Sequence, residues 1–262
     1  MEFIISSQGL KTLQNIKYPP NIMKLYCSGN QLTTLQGCPS SVTVLDCSFN
    51  QLITLEGCPP NVIELYCSGN QLTTLEGCPP NVKTLYCHGN LLKTLKGCPS
   101  SVTGLYCHNN RLTTLEGCSP NVIGLYCGEN QITNLEGCPL NVTKLHCQYN
   151  RLATLKGCPN VTILSCHNNK LTTLEECPSS VKSLYCNYNP LTYQYKDKSL
   201  IEIHNINRIK AFKKGISILN NILSALRIQR CWRRWWYEEL DSEGVNRFIK
   251  KSFIQFNEKI YS

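Results

Sequence analysis

From about residue 10 to residue 192, apolar and polar positions recur with a period of 20 residues. One unit reads NVIELYCSGNQLTTLEGCPP, with apolar positions at Val62, Leu65, Cys67, Leu72 and Leu75, and Cys78 following. Asparagines mark the register: Asn30, Asn50, Asn70, Asn90, Asn110, Asn130, Asn150, Asn169 and Asn189. The step is 20 residues except once, where GCPNVTIL lacks one residue between Pro159 and Val161 and the step is 19. A fixed period of this length predicts a solenoid of stacked turns. Leu65 and Cys67 alternate with Tyr66, which predicts a short strand with Leu and Cys facing inward and Tyr outward. Stacked, such strands form a parallel sheet. Asn70 falls where the chain leaves the strand, and its amide can bond backbone groups that the bend leaves unpaired. Each such group costs about 1–3 kcal/mol if buried without a partner. The GCPP segment breaks regular pairing, because Pro has no N–H, and returns the chain in extended form.

A single turn cannot stand alone. Its five or six inward side chains gain roughly 1.5–3 kcal/mol each, whereas ordering its backbone costs about 1–2 kcal/mol per residue. Arrays of this kind therefore need neighbours and caps. Residues 1–24 read as the N-terminal cap: Leu10, Leu13 and Ile22 keep the pattern, but two residues are added and Tyr18 stands where Cys belongs. Residues 25–192 form the array, and residues 193–262 a basic, Trp-rich helical region. There, Ile218, Ile222 and Leu226 recur at helical steps, LDSEG breaks the pattern, and Val245, Phe248, Ile249, Phe253 and Phe256 resume it. An earlier helix is expected over about Lys198–Phe212.

Charge sharpens this division. The 262-residue chain carries a formal charge of +9, of which residues 193–262 hold +7. No leader with a basic start, apolar run and cleavage site is legible near Met1, and no stretch approaches the roughly 18 apolar residues of a membrane span. The expected location is cytoplasmic. The 18 cysteines are almost all explained by the repeat. Cys27 to Cys186 form a strand column, Cys38 to Cys177 a second column on the return segment, and only Cys231 lies outside both. Parallel neighbours about 4.8 Å apart suit a ladder but not a disulfide, and the gaps of 11 and 9 residues do not suit a metal. Free, buried thiols acting as small core residues are expected.

The outward strand position holds Tyr26, Asp46, Tyr66, Tyr86, Tyr106, Tyr126, His146, Ser165 and Tyr185. The next holds His88 and His108 among serines, and the one after holds Phe49 and Tyr149. A face rich in Tyr, His and Ser suits protein recognition, because Tyr buries much area and keeps a polar tip; simple copying of the repeat is the alternative source of the tyrosines. Departures such as Asp46 and Phe49 are where specificity is expected. There is no phosphate-binding glycine loop, metal-ligand pair or nucleophile–base set, so neither catalysis nor a cofactor is expected. In the tail, Arg227, Arg230 and Arg233 interleave with Trp232, Trp235 and Trp236. The helix bearing them caps the last turn, lies on an anionic membrane, contacts nucleic-acid phosphates, or binds a calmodulin-like protein. The last reading rests on a resemblance of IQRCWRR to the start of an IQ motif, through Ile228, Gln229 and Arg233; Arg234 replaces the motif's Gly and Glu238 its second basic residue.

The spacing from Val62 through Leu65, Cys67 and Asn70 to Leu72 and Leu75 resembles the short leucine-rich repeat, recurring nine times in register. That resemblance implies a horseshoe-shaped leucine-rich-repeat solenoid, with short parallel β-strands on the concave face, mostly extended convex segments, and here an α-helical C-terminal region. The unit and the tail IQRCWRRWWYEELDSEGVNRF are also similar to leucine-rich-repeat proteins of giant viruses of the mimivirus group, which implies a viral protein in a host cytoplasm. The unit is similar as well to the 20-residue repeats of secreted bacterial effectors. Some of those add a ubiquitin-ligase domain with a catalytic Cys followed by x-Asp; here Trp232 and Arg233 follow Cys231, which argues against such a ligase. The Tyr/His/Ser face and the lack of a catalytic set point to a scaffold that binds a partner protein, with a structural, virion-associated component as the alternative.

Overall fold

The computed structural model describes residues 1–239. Ten three-residue strands are present among them: β1 Glu2–Ile4, β2 Lys24–Tyr26, β3 Val44–Asp46, β4 Glu64–Tyr66, β5 Thr84–Tyr86, β6 Gly104–Tyr106, β7 Gly124–Tyr126, β8 Lys144–His146, β9 Ile163–Ser165 and β10 Ser183–Tyr185. They form one parallel sheet in sequential order. The register matches the repeat, so that Leu45, Leu65 and Leu85 stand side by side. Inward Leu, Val and strand Cys side chains are fully buried from Ile22 to Leu174.

The asparagine ladder closes each turn onto the one before. Asn70 Nδ2 donates to the carbonyls of Cys47 and Cys67, both at 3.1 Å, and its Oδ1 accepts the Leu52 N–H at 3.0 Å. Asn90 Nδ2 donates to the same Cys67 carbonyl at 3.1 Å. Each such carbonyl therefore receives two amides, one from its own turn and one from the next.

The return segments are built from β-turns. Cys98 N–H donates to Leu95 O at 3.0 Å across Gly97, whose φ of 88° fits the third residue of a type II turn. A Cβ there would lie 2.5 Å from Glu76 N in the preceding turn, so glycine is required on packing grounds as well. The 19-residue unit absorbs its deletion locally. Val161 N–H donates to Pro159 O at 2.8 Å, one residue tighter than the Val142 to Pro139 bond of the unit before. The strand register then resumes, with Lys144 opposite Ile163.

At the N-terminal end the structure adds β1, a strand outside the repeat pattern. Ile5 takes the place of Cys27 in the core, and Gln8 N–H and Leu10 N–H both donate to Asn30 Oδ1. Tyr18 fills the Cys position of the return segment, its ring edge-on to Phe3 at 5.6 Å. At the other end Tyr195 is buried and its hydroxyl lies 2.9 Å from Asn207 Oδ1, while Asn207 Nδ2 donates to Leu174 O at 2.7 Å. A capping box starts α1 (Leu200–Glu239): Ser199 N–H donates to Glu202 Oε2 at 2.8 Å and Glu202 N–H to Ser199 Oγ at 3.3 Å.

Two compact units result, residues 1–207 and residues from 208 onward. The expected early helix ending at Phe212 is corrected: α1 runs unbroken through Gly215 to Glu239. A mid-helix Gly costs only about 1 kcal/mol relative to Ala, less than is needed to stop a helix. The expected later helix around Val245 to Phe256 lies outside the described residues. Capping is also narrower than an amphipathic cap along the whole helix. Ile203 is buried and Ile206 packs on the core, whereas Ile209, Phe212, Ile216, Leu219, Leu223 and Leu226 are exposed. Among the described residues, no helix is long and apolar enough to cross a membrane.

The cysteines of the array, from Cys27 to Cys186, are free thiols. Burial raises the strand-column thiols from Cys47 to Cys147 well above the ordinary value and pushes Cys38 and Cys78 on the return segment up to about 12.

Two outcomes follow. Asn90→Ala orphans the Leu72 N–H and removes one of the two amides at Cys67 O and Cys87 O. Urea denaturation should show a loss of about 3 kcal/mol, against a smaller loss for Asn189→Ala on the half-buried last rung. The thiols make the fold alkali-sensitive. Their folded pKa is raised, so their contribution is full below the unfolded value near 9 and is lost as pH rises toward the folded value. Each ionising thiol removes roughly 1.4 kcal/mol per pH unit, and circular dichroism should record cooperative unfolding between about pH 9 and pH 10. Retention of native signal at higher pH would contradict the burial of the columns.

Candidate functional site

The strand register brings the outward tyrosines into one column. Tyr66, Tyr86, Tyr106 and Tyr126 stack face to face, with centroids 4.4, 4.3 and 4.4 Å apart, and His146 continues the stack at 4.6 Å. These distances are shorter than the ~4.8 Å between neighbouring strands, so the side chains converge, as they do on the inner side of a curved stack. Burial, and then the neighbouring Tyr106 and Tyr66, push the Tyr86 hydroxyl up to about 12; burial likewise raises Tyr66 and Tyr126. Tyr66, Tyr86 and Tyr126 are therefore neutral at physiological pH.

Tyr26 and Tyr185 belong to the same column but stand apart from the continuous stack. Asp46 separates Tyr26 from Tyr66, and Ser165 separates Tyr185 from His146. Ser165 is buried and lies 3.1 Å from His167 Nδ1. Asp46 is half-buried, and its Oδ1 accepts the Ser48 N–H at 3.0 Å.

In the next column His88 and His108 stack at 4.3 Å, and His88 Nδ1 lies 2.9 Å from Ser68 Oγ. Burial lowers both histidine pKa values, and the His108 charge lowers that of His88 further. His146 is lowered too, by burial and then by Lys144 and His167. The third position is left-handed in every turn, with φ from 53° to 68°. Phe49 and Tyr149 hold that conformation without being glycine, which costs about 1–2 kcal/mol. The Phe49 ring is 66% exposed and lies over Gly69, where a Cβ would meet Phe49 Cδ1 at 2.5 Å. Tyr149 meets the His167 ring edge-on at 5.3 Å.

Sequence reasoning missed the outward position two residues before each tyrosine. It holds Lys24, Val44, Glu64, Thr84, Gly104 and Gly124. The same alternation that turned Tyr66 outward would have found it. Gly104 and Gly124 leave room for the Tyr106 and Tyr126 rings to lean over their own strands, Tyr126 Cε2 lying 3.4 Å from where a Gly124 Cβ would be. The tail candidates Arg227, Arg230, Trp232, Arg233, Trp235 and Trp236 fall within α1, but their side chains lie outside the described residues. Among the described residues, no cluster of three or more His, Cys, Asp or Glu is arranged to hold a metal.

Short parallel strands, an inward Leu/Cys/Asn ladder and turn-built return segments make this a leucine-rich-repeat solenoid with a C-terminal helix. Solved structures agree. YopM from Yersinia enterocolitica WA-314 matches with a TM-score of 0.60 and 27% identity over 66% of this chain and 39% of that one. The functional domain of InlJ from Listeria monocytogenes, which includes a cysteine ladder, matches with a TM-score of 0.57 and 28% identity over 70% and 42%. YopM from Yersinia pestis, a leucine-rich effector protein, matches with a TM-score of 0.56 and 25% identity over 71% and 60%. The chain thus spans less than two thirds of the length of each. No protein-family model matches the sequence, and no curated protein does.

The histidine pair yields a pH prediction. A lowered folded pKa means that its contribution to stability is full above the ordinary value of 6.5 and declines as pH falls through the folded value. NMR titration should place the midpoints of His88 and His108 below 6.5, with that of His88 rising in His108→Asn. A midpoint at or above 6.5 would contradict the stacked, part-buried pair.

Proposed function

We propose that the protein is a non-enzymatic interaction scaffold that binds a partner protein on the Tyr/His/Ser face of its sheet. The observation that carries this reading is the unbroken stack from Tyr66 to His146 on the solvent side of the strands. Rings already ordered by their neighbours lose little freedom on binding, and each offers an apolar face with a polar tip. Phe49 adds support, as an exposed apolar ring on a backbone conformation that phenylalanine disfavours. The relatives in fold include a leucine-rich effector protein, in keeping with a chain that acts through other proteins. The likeness of the unit and tail to giant-virus proteins suggests a viral protein acting on host proteins in the cytoplasm; a packaged structural role is the alternative, which mass spectrometry of purified particles would reveal.

A second reading concerns α1. Beyond the capping turns its apolar residues are exposed at three- and four-residue steps, from Ile209 to Leu226. We propose this basic helical region as a separate adaptor segment; fluorescence titration of the tail against calmodulin, anionic vesicles and oligonucleotides separates its three candidate partners.

The principal test is a double variant. Tyr86→Ala with Tyr106→Ala removes outward rings and leaves the inward ladder untouched, so the native circular dichroism spectrum should persist. Host proteins captured by the wild-type chain should be lost. An unchanged set of captured proteins would overturn the reading.

A further inference from the structure

The aromatic column is broken twice, and the two breaks differ. Ser165 is buried, so that gap is closed. At Asp46 the surface opens into a recess of about 230 Å³ lined by Lys24, Tyr26, Val44, Asp46, Glu64 and Tyr66. Tyr26 and Tyr66 stand two ladder steps apart, about 9.6 Å at the strand spacing. From Tyr66 to His146 a ring occupies every step, 4.3 to 4.6 Å from the next. Two ladder steps leave room for one planar group between the Tyr26 and Tyr66 side chains that line the recess.

Its floor is a carboxylate. The Ser48 N–H holds one Asp46 oxygen at 3.0 Å and leaves the other able to accept. Glu64 stands on the rim, its Oε2 accepting the Tyr66 hydroxyl at 3.4 Å. Lys24 is the cation of the lining, and Glu2 neutralises it at 2.7 Å. Neither Asp46 nor Glu64 lies within ion-pair distance of a cation among the described residues, and Glu64 adds only a weaker, longer-range attraction on Lys24.

We propose that this recess takes an arginine side chain of the partner protein, its guanidinium plane filling the missing rung between Tyr26 and Tyr66 and its N–H groups bonded to Asp46. The proposal rests on the sheet face being the partner surface. Arginine fits all three features together: it is planar, it stacks on phenol faces, and its fork of donors matches a carboxylate. A neutral ring would stack but would desolvate Asp46 without a partner. A lysine ammonium would answer the charge but leave the slot between the rings unfilled.

The test uses the full chain and N-acetyl-arginine methylamide as probe, with the lysine and citrulline analogues as comparisons, followed through tyrosine ring NMR signals. The arginine probe should give saturable shifts at Tyr26 and Tyr66. Citrulline, planar but uncharged, should bind about tenfold more weakly or worse, the scale of one charge-assisted hydrogen bond. Asp46→Asn, which keeps an acceptor for the Ser48 N–H, should abolish the preference for arginine. Asp46→Tyr completes the column in a position where the fold already carries tyrosine, and should abolish binding. Absence of saturation, equal binding of the three probes, or no response to Asp46→Asn in a chain with the native circular dichroism spectrum would each overturn the proposal. Partner capture separates the two levels. Loss of partner with Tyr86→Ala and Tyr106→Ala but not with Asp46→Asn would sink the arginine site alone. Capture that survives the tyrosine variant would sink the wider reading, whatever the probe shows.

Discussion

The stack is held in register by a side chain that belongs to two turns at once. Asn70 bonds its own turn through the Cys67 carbonyl and the preceding turn through the Cys47 carbonyl and the Leu52 N–H. Sliding one turn against its neighbour would strand buried donors at each such rung, and inside the core no water is available to replace them. The thiols work in the same direction. Cys67 Sγ lies 3.3 Å from the Tyr86 carbonyl of the following turn, so that even the small apolar residue of the strand is bonded forward. An isolated turn has neither neighbour, which is why the ends need different chemistry: Phe3, Ile5 and Tyr18 at one, Tyr195, Ile203 and Asn207 at the other.

A register chosen for the interior is imposed on the exterior without further design. Every outward position becomes a column with about 4.8 Å between members, close to the separation at which aromatic rings stack. A repeated tyrosine then becomes a continuous stack as a by-product of the asparagine ladder. For this reason the repetition of Tyr66, Tyr86, Tyr106 and Tyr126 supplies a surface, while its interruptions supply discrimination. Asp46 opens the column, Ser165 closes it over, and the His88–His108 pair gives one stretch of the neighbouring column a pH-responsive character.

The solenoid, the inward ladder and the outward tyrosines were legible from the sequence because each rests on a period, and a period survives substitution at single positions. What escaped depends on single positions. β1 pairs through backbone groups, with Phe3 and Ile5 unlike the Leu and Cys they replace. The left-handed position is occupied by Gly, Asn, Glu, Phe and Tyr in different turns, so no residue type announces it. The helix end expected near Phe212 is absent, because the single glycine that follows, Gly215, is too weak a signal to end α1. In the candidate site, Tyr26, Asp46 and Phe49 could be named in advance. The recess between Tyr26 and Tyr66 could not, because it is made by the absence of a ring and by Glu64 and Lys24 in the adjoining column.

Charge is distributed so that local chemistry carries the selectivity. The array is nearly neutral, since residues 193–262 hold +7 of the chain's +9, and a neutral face provides little long-range steering. A partner meeting the sheet is therefore sorted at short range, by stacking area and by the few charged groups it must desolvate. Around Asp46 those groups sit beside the rings in a recess, where an unmatched carboxylate is costly and a matched one gains from both neighbours. On a flat aromatic stack, many apolar surfaces would dock equally well. A charged floor one ring wide raises the cost for all of them except the partner that brings a planar cation to that step.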